Sequence, residues 1–337
     1  MKPGCALVVT TISNPTQAML DLAAGSQRHG VDFVVIGDRP TPKEFHLDGA
    51  RFYSLEQQRE LPFQLASAIP ERHYSRKNLG YLAAIERGAS CIIETDDDNL
   101  PREPFWHDRE LMQHVPVVRQ NGWVNAYTFF TDALLWPRGF PLERVRDSKL
   151  PWPQESETVA CPIQQGLADG DPDVDAIYRL ILPLPQTFRS ARIALGAGAW
   201  CPFNSQNTTF FPDAFELLYL PSYCSFRMTD IWRSFIAQRI AWANSWMVLF
   251  HEPTVWQDRN EHNLLKDMSD ECSGYFQNAK IAQCLDSLDL PGGLANTGHA
   301  LKMCYEALVD LGVFDRRELE LVAAWSADVS ALRAARS

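Results

Sequence analysis

The densest chemistry in the sequence is Glu94-Thr95-Asp96-Asp97-Asp98, which directly follows the apolar run Cys91-Ile92-Ile93. Carboxylates this close repel one another unless positive charge lies among them. Two of them spaced two residues apart at a strand end can hold a hard divalent cation, Mn2+ or Mg2+. Such an ion takes oxygen ligands and leaves positions open for phosphate. Asp96 and Asp98 are the expected ligands. Strand alternation turns Asp97 to the other side, where it is left to contact a bound ligand. Glu94, inside the strand, is expected to meet a basic neighbour, Arg76 or Lys77.

Four further segments carry functional groups. HYSRKNLGYLAAI places Arg76, Lys77 and Asn78 at a helix start, where donors suit a phosphate or a sugar. FRMTDIWRSF places Asp230 near another helix start between Arg227 and Arg233, as a general base or an acceptor for a sugar hydroxyl. VWQDRNEHNLLKD offers His262 to complete a metal shell from a distant part of the chain. DGDPDVDAIYRL has aspartates at alternate positions but lacks the glycine and closing glutamate of a calcium loop, which leaves a substrate-facing loop.

These groups need a frame to position them. CALVVTTIS and VDFVVIGD read as buried strands and SCIIETDDD as a third, with helices over Gln17 to His29 and over SRKNLGYLAAIERGA, the latter closed by Gly88. Strand, helix, strand, helix, strand is the order of an α/β fold with a parallel sheet. Ligands of such sheets bind beyond the carboxyl ends of the strands. Thr10-Thr11, Gly37-Asp38 and Asp96 to Asp98 all fall at those ends and should converge on one crevice. WVNAYTFF is expected to be another strand, and the helix that begins at Thr229 is expected to run to about Leu249. The segment from about 132 to 225 is rich in Pro and Gly, weakly periodic, and read as binding loops. The tail from about 276 is helical, with apolar stripes for packing or for contact with a partner, a second copy of the chain among them.

Composition narrows the partners. The chain has 337 residues, 46% of them hydrophobic, and a formal net charge of −11. That balance argues against a general nucleic-acid or anionic-membrane surface, so an anionic substrate needs a local basic patch or a metal ion. The eight cysteines form no CxxC pair or Cys/His cluster and are expected to be buried free thiols in a reducing compartment. The N-terminal apolar run of four residues is far short of a signal peptide core or a membrane span. The protein is therefore expected in the cytoplasm.

Together, the strand ending in Thr-Thr, the Gly-Asp end, the RKNLGYLAAI helix and ETDDDN resemble a GT-A glycosyltransferase with its Asp-x-Asp metal motif. In more detail the chain resembles the STELLO-like proteins, and more distantly the reversibly glycosylated polypeptides, which include UDP-arabinopyranose mutases. The features lie in order over roughly residues 5–270: the aspartates at 96–98, PRGFP at 137–141, PDVDA at 172–176, FNSQNTTF at 203–210 and RMTDIW at 227–232. The resemblance implies a GT-A-like α/β domain over 1–270, with a mixed, mostly parallel sheet flanked by helices, and a C-terminal helical extension over 271–337. It implies a metal-dependent glycosyltransferase that uses a nucleotide-sugar, a UDP-sugar, with Mn2+ or Mg2+ held by Asp96 and Asp98. Thr10, Thr11 and Asp38 would contact the nucleoside, and Arg76 and Asn78 the diphosphate or the sugar. Arg138 falls on the arginine that the mutase-like proteins associate with sugar attachment, and Asp230 on the second acid of their Arg-Tyr-Asp-Asp segment. Thr229 replaces the first of those acids. Gln257 stands near their histidine, with His262 as the shifted candidate. The alternatives are a nucleotide-sugar mutase or self-glycosylating protein, and a non-catalytic scaffold that keeps the fold.

Overall fold

The computed structural model describes residues 1, 4–153, 155–258 and 263–335. The N-terminal part consists of β1 (Cys5–Thr11), α1 (Gln17–His29), β2 (Asp32–Gly37), β3 (Arg51–Tyr53), α2 (Leu55–Arg59), α3 (Gln64–Ala68), α4 (Lys77–Glu86) and β4 (Cys91–Thr95). The middle follows with β5 (Asn99–Pro101), β6 (Met112–Val118), β7 (Gly122–Trp123), β8 (Ser156–Ala160), β9 (Ile163–Gly170), α5 (Ala176–Ile181), β10 (Arg192–Leu195), β11 (Ala199–Trp200), β12 (Asn207–Phe210), α6 (Thr229–Ala243) and β13 (Val248–Gln257). The chain closes with α7 (Leu264–Asp286), α8 (Thr297–Asp310) and α9 (Glu318–Ala334).

The main sheet runs β3-β2-β1-β4-β12-β9-β13-β10-β6-β8, with β5 paired to β13. Its first four strands are all parallel. β12 is antiparallel to both β4 and β9, and β13 runs parallel to β9. The carboxyl ends of β1, β2, β4 and β13 therefore lie along one edge. The architecture is α/β, a mixed sheet covered by helices, as expected.

Strand alternation builds the two layers. Leu7 and Val9 of β1 point to one face, where Met19, Leu22 and Ala23 of α1 cover them. Ala6 and Val8 point to the other face, under Leu79 and Leu82 of α4. Thr16 caps α1 by accepting the Met19 N–H, and Gly30 ends it at a φ of 66° that costs glycine nothing. Gly80 lets α4 lie close on the sheet, since a Cβ there would be 2.6 Å from Val8 Cγ1 and 2.8 Å from Ile36 Cγ1.

The C-terminal helices share this core. Trp325 of α9 is fully buried and donates Nε1–H to the Glu216 carbonyl at 2.9 Å. Asp328 accepts the Gln64 and Leu65 N–H groups at 2.9 and 3.0 Å. It thereby caps α3, which has no side-chain cap of its own. The apolar stripes of the tail are used in packing within the chain.

Three sequence expectations change. The helix begun at Thr229 ends at Ala243, and Val248 opens β13 after Ser245 at a φ of 58°. Of WVNAYTFF only Trp123 is in a strand, and Ala126–Phe129 form a 3-10 turn. Cys5 and Cys91, in register on the neighbouring strands β1 and β4, are joined as a disulfide, while the other six cysteines are free thiols. Among the described residues no helix is long and apolar enough to cross a membrane.

Candidate active site

A cavity of about 850 Å³ opens at the carboxyl edge of the sheet. Thr10, Thr11, Asp38 and Asp96 to Asp98 line one side, and Arg138, Ser205, Phe226, Arg227, Asp230 and Gln257 the other. The acidic turn follows β4, whose Glu94 is buried at the centre of the sheet. Glu94 does not meet Arg76 or Lys77. Its carboxylate forms a two-point ion pair with Arg233 of α6, at 2.6 and 3.0 Å, and also accepts the Tyr81 hydroxyl. The pairing follows from position, because α6 crosses the sheet where β4 and β12 carry Glu94, Phe203 and Phe210 lying beside the guanidinium.

The three aspartates have different surroundings. Asp97 Oδ2 accepts the Thr11 hydroxyl at 2.6 Å, and its carbonyl accepts the Thr16 hydroxyl, which ties it to β1 and the start of α1. Asp98 lies beside Gln257, whose Nε2 is 3.3 Å from both carboxylate oxygens. Gln257 is itself held by the Gln206 amide. Asp96 Oδ1 accepts the Tyr74 hydroxyl at 3.0 Å and lies 3.6 Å from Lys77 Nζ. Burial pushes the Asp96 carboxyl up to about 7; Lys77 opposes this and Asp98 adds to it. Lys77 is fully buried, and burial lowers its own affinity for a proton. The acidic turn is thus short of positive charge.

A hydrogen-bonded chain joins this turn to the far wall. The Tyr74 hydroxyl receives Lys77 Nζ at 2.8 Å and contacts Ser205 Oγ at 2.7 Å. Ser205 donates to Asp230 Oδ2 through its N–H at 3.2 Å and its hydroxyl at 3.3 Å. Arg138 grips Asp230 with Nη1 and Nη2 at 3.0 and 2.8 Å. It grips Asp173 with Nε and Nη2 at 2.9 and 2.8 Å, and donates to the Arg227 carbonyl. Buried carboxylates on two sides of one guanidinium make a rigid pivot. In this arrangement Arg138 is a positioning residue for Asp230.

The expected site residues thus divide by place. Thr10, Thr11, Asp38, Asp96, Asp97, Asp98, Arg138 and Asp230 line one cavity. Lys77 reaches that cavity only through Tyr74 and Asp96. Arg76 points into the body, where Nε donates to Gln58 at 2.7 Å and Nη1 to the Ile69 carbonyl at 3.3 Å. Asn78 is bound to the backbone of Leu220, at 2.8 Å to its carbonyl and 2.9 Å to its N–H. Both residues sit on the buried side of the helix start, so neither faces a ligand in the cavity. Asp38 lines the cavity, but both its oxygens accept backbone N–H groups: Oδ1 those of Arg39 and Arg72 at 2.7 and 2.9 Å, Oδ2 that of His73 at 2.9 Å. His262 lies outside the described residues. The substrate-facing loop of alternating aspartates is mostly internal, with Asp169 on Arg102, Asp171 on Arg179, Asp173 on Arg138 and Asp175 capping α5.

Sequence reasoning missed Tyr74, Ser205 and Arg72. Tyr74 stands in the quoted HYSRKN segment, where the charged neighbours drew attention away from it. Ser205 lies in FNSQNTTF, a polar run whose burial on β12 gives no hydrophobic signal.

The chain also resembles known proteins. The model of the STELLO glycosyltransferases matches residues 227–335. The probable glycosyltransferase STELLO2 of Arabidopsis thaliana is 32% identical over 289 residues, 78% of this chain and 37% of that protein. The probable glycosyltransferase STELLO1 of the same plant is 31% identical over 273 residues, 74% of this chain and 35% of that protein. The chain therefore spans little more than a third of the length of these relatives. A solved mycobacterial protein superposes at a TM-score of 0.39 with 11% identity, covering 83% of this chain and 74% of that one. The chain is STELLO-like, related to that glycosyltransferase family over most of its length.

Proposed function

We propose that this chain is a metal-dependent glycosyltransferase that takes a nucleotide-sugar, a UDP-sugar, and transfers the sugar to a hydroxyl acceptor. The observation that carries the reading is the meeting, in one cavity, of the acidic turn after β4 with the Arg138–Asp230 pivot. Among the described residues no three His, Cys, Asp or Glu side chains are grouped as a ligand set. Asp96 and Asp98 nevertheless suit Mn2+ or Mg2+, because such ions are held by one or two carboxylates together with substrate phosphates. The raised Asp96 carboxyl marks a place that lacks a cation. A divalent ion bound there neutralises charge on a departing nucleoside diphosphate.

The chain's own groups do the rest. Tyr74 and Lys77 orient Asp96, while Gln257 orients Asp98. Each oxygen of Asp230 already accepts donors, so the residue is suited to orient a sugar hydroxyl rather than to take its proton. The same geometry argues against sugar attachment to Arg138, whose nitrogens are all engaged with Asp173, Asp230 and the Arg227 carbonyl. The test is a thermal-shift panel of nucleotide-sugars with and without Mn2+, followed by assay of donor hydrolysis in the same samples. Stabilisation by a UDP-sugar that requires Mn2+, with release of UDP, is expected. Isomerisation of the free UDP-sugar would favour the mutase reading, and no stabilisation by any donor would favour a non-catalytic scaffold.

A further inference from the structure

We infer that Arg72 receives the diphosphate of the donor, and that Asp38 holds the turn presenting it. The assignment rests on reading the cavity as a nucleotide-sugar site.

Three arginines line the cavity: Arg72, Arg138 and Arg227. Arg138 is bound to Asp173 and Asp230, and Arg227 to Glu271 at 2.8 Å. Arg72 is exposed at the cavity wall, and its guanidinium has no ion pair or hydrogen bond among the described residues. The carboxylate next to it in sequence, Glu71, is already taken by Arg39 and Arg59. A cation facing an acidic crevice with its nearest acid withdrawn is placed for an anion that arrives with the substrate.

The backbone supports the same reading. Arg72 has a φ of 56°, one of two positive values at non-glycine residues among the described part of the chain. Glycine, or asparagine, is the ordinary choice at such a position, and other side chains there carry a cost. That cost is offset by Asp38, whose carboxylate accepts the N–H groups of Arg72 and His73, both at 2.9 Å. A turn needing only its shape would be better served by glycine. An arginine kept in that conformation points to a use for its side chain. Asp38, expected to touch the nucleoside, thus acts as the clamp of the turn. Arg72 takes the diphosphate role that the sequence assigned to Arg76 and Asn78.

The experiment is calorimetric titration of the full chain with pyrophosphate and with UDP, each in the presence of Mn2+, and with Mn2+ alone. Arg72→Gln is expected to weaken pyrophosphate and UDP about tenfold or more, with Mn2+ binding and thermal stability unchanged. Arg72→Lys restores part of the affinity. Arg72→Gly relaxes the backbone yet binds as weakly as Arg72→Gln. Asp38→Ala weakens the same two ligands without touching them. If Arg72→Gln or Arg72→Gly binds pyrophosphate as the wild type does, the assignment falls and the nucleotide-sugar reading stands. If the wild type binds neither pyrophosphate nor UDP with Mn2+, both fall together.

Discussion

The ion pair between Glu94 and Arg233 is the joint between the strand that carries the acidic turn and the helix that carries Asp230. Both side chains are buried, at 0% and 2% exposure, and they meet at 2.6 Å. Arg233→Met leaves the Glu94 carboxylate in the core with only the Tyr81 hydroxyl, and Glu94→Gln leaves a buried guanidinium facing a neutral amide. Stranding one partner of a buried pair costs about 3–5 kcal/mol. The double variant removes both charges and keeps an acceptor for Tyr81, so it should cost well under the sum of the single changes. A coupling of about 2 kcal/mol or more is expected, within the range found for residues in direct contact. Urea unfolding followed by tryptophan fluorescence reads this out, each single variant lowering the midpoint by roughly 1 M or more at an unchanged slope. Single costs below about 1 kcal/mol that simply add would show that the pair does not organise the core, and would refute the reasoning.

Other outcomes follow from the same geometry. Burial, with Arg109 adding, pushes His251 down to about 4, so the unfolded chain takes up a proton that the native imidazole refuses. Stability should therefore fall as pH drops from about 6.5 towards about 4, and His251→Gln should flatten that slope in melting curves across this window. Asn78→Leu should cost about 1–3 kcal/mol by orphaning the Leu220 carbonyl and N–H, while UDP affinity measured on the folded protein stays the same. Trp325→Ala should cost about 3–5 kcal/mol in urea unfolding; a negligible loss would contradict the placement of α9 in the shared core.

The N-terminal half of the fold was legible because its signals are local. Apolar runs ending at Thr11, Asp38 and the acidic turn, separated by capped helices, determine a parallel sheet and its functional edge. The central strands were not legible. β9 reads IQQGLADG and β12 reads NTTF, polar sequences buried on both faces, with Gln165, Asn204, Asn207 and Thr208 bonded to one another and to the backbone. Buried polar groups satisfied across neighbouring strands leave no hydrophobic period to read. The helix from Thr229 was overextended because Asn244-Ser245 is a weak stop, marked by backbone conformation rather than by glycine or proline. In the site, spacing located the acids, while the roles of Asp38, Arg76 and Asn78 depended on which way each side chain turns. That direction is set by packing partners distant in sequence, such as Leu220 and Gln58.

The central claim is that Asp96 and Asp98 bind the donor's nucleotide through a divalent ion. Its most direct test is titration of the wild type and of Asp96→Asn combined with Asp98→Asn with UDP, in the presence and absence of Mn2+. The account predicts that the wild type binds UDP only when Mn2+ is present and that the double variant loses this dependence while remaining folded. Metal-dependent UDP binding that is the same in both proteins would contradict it.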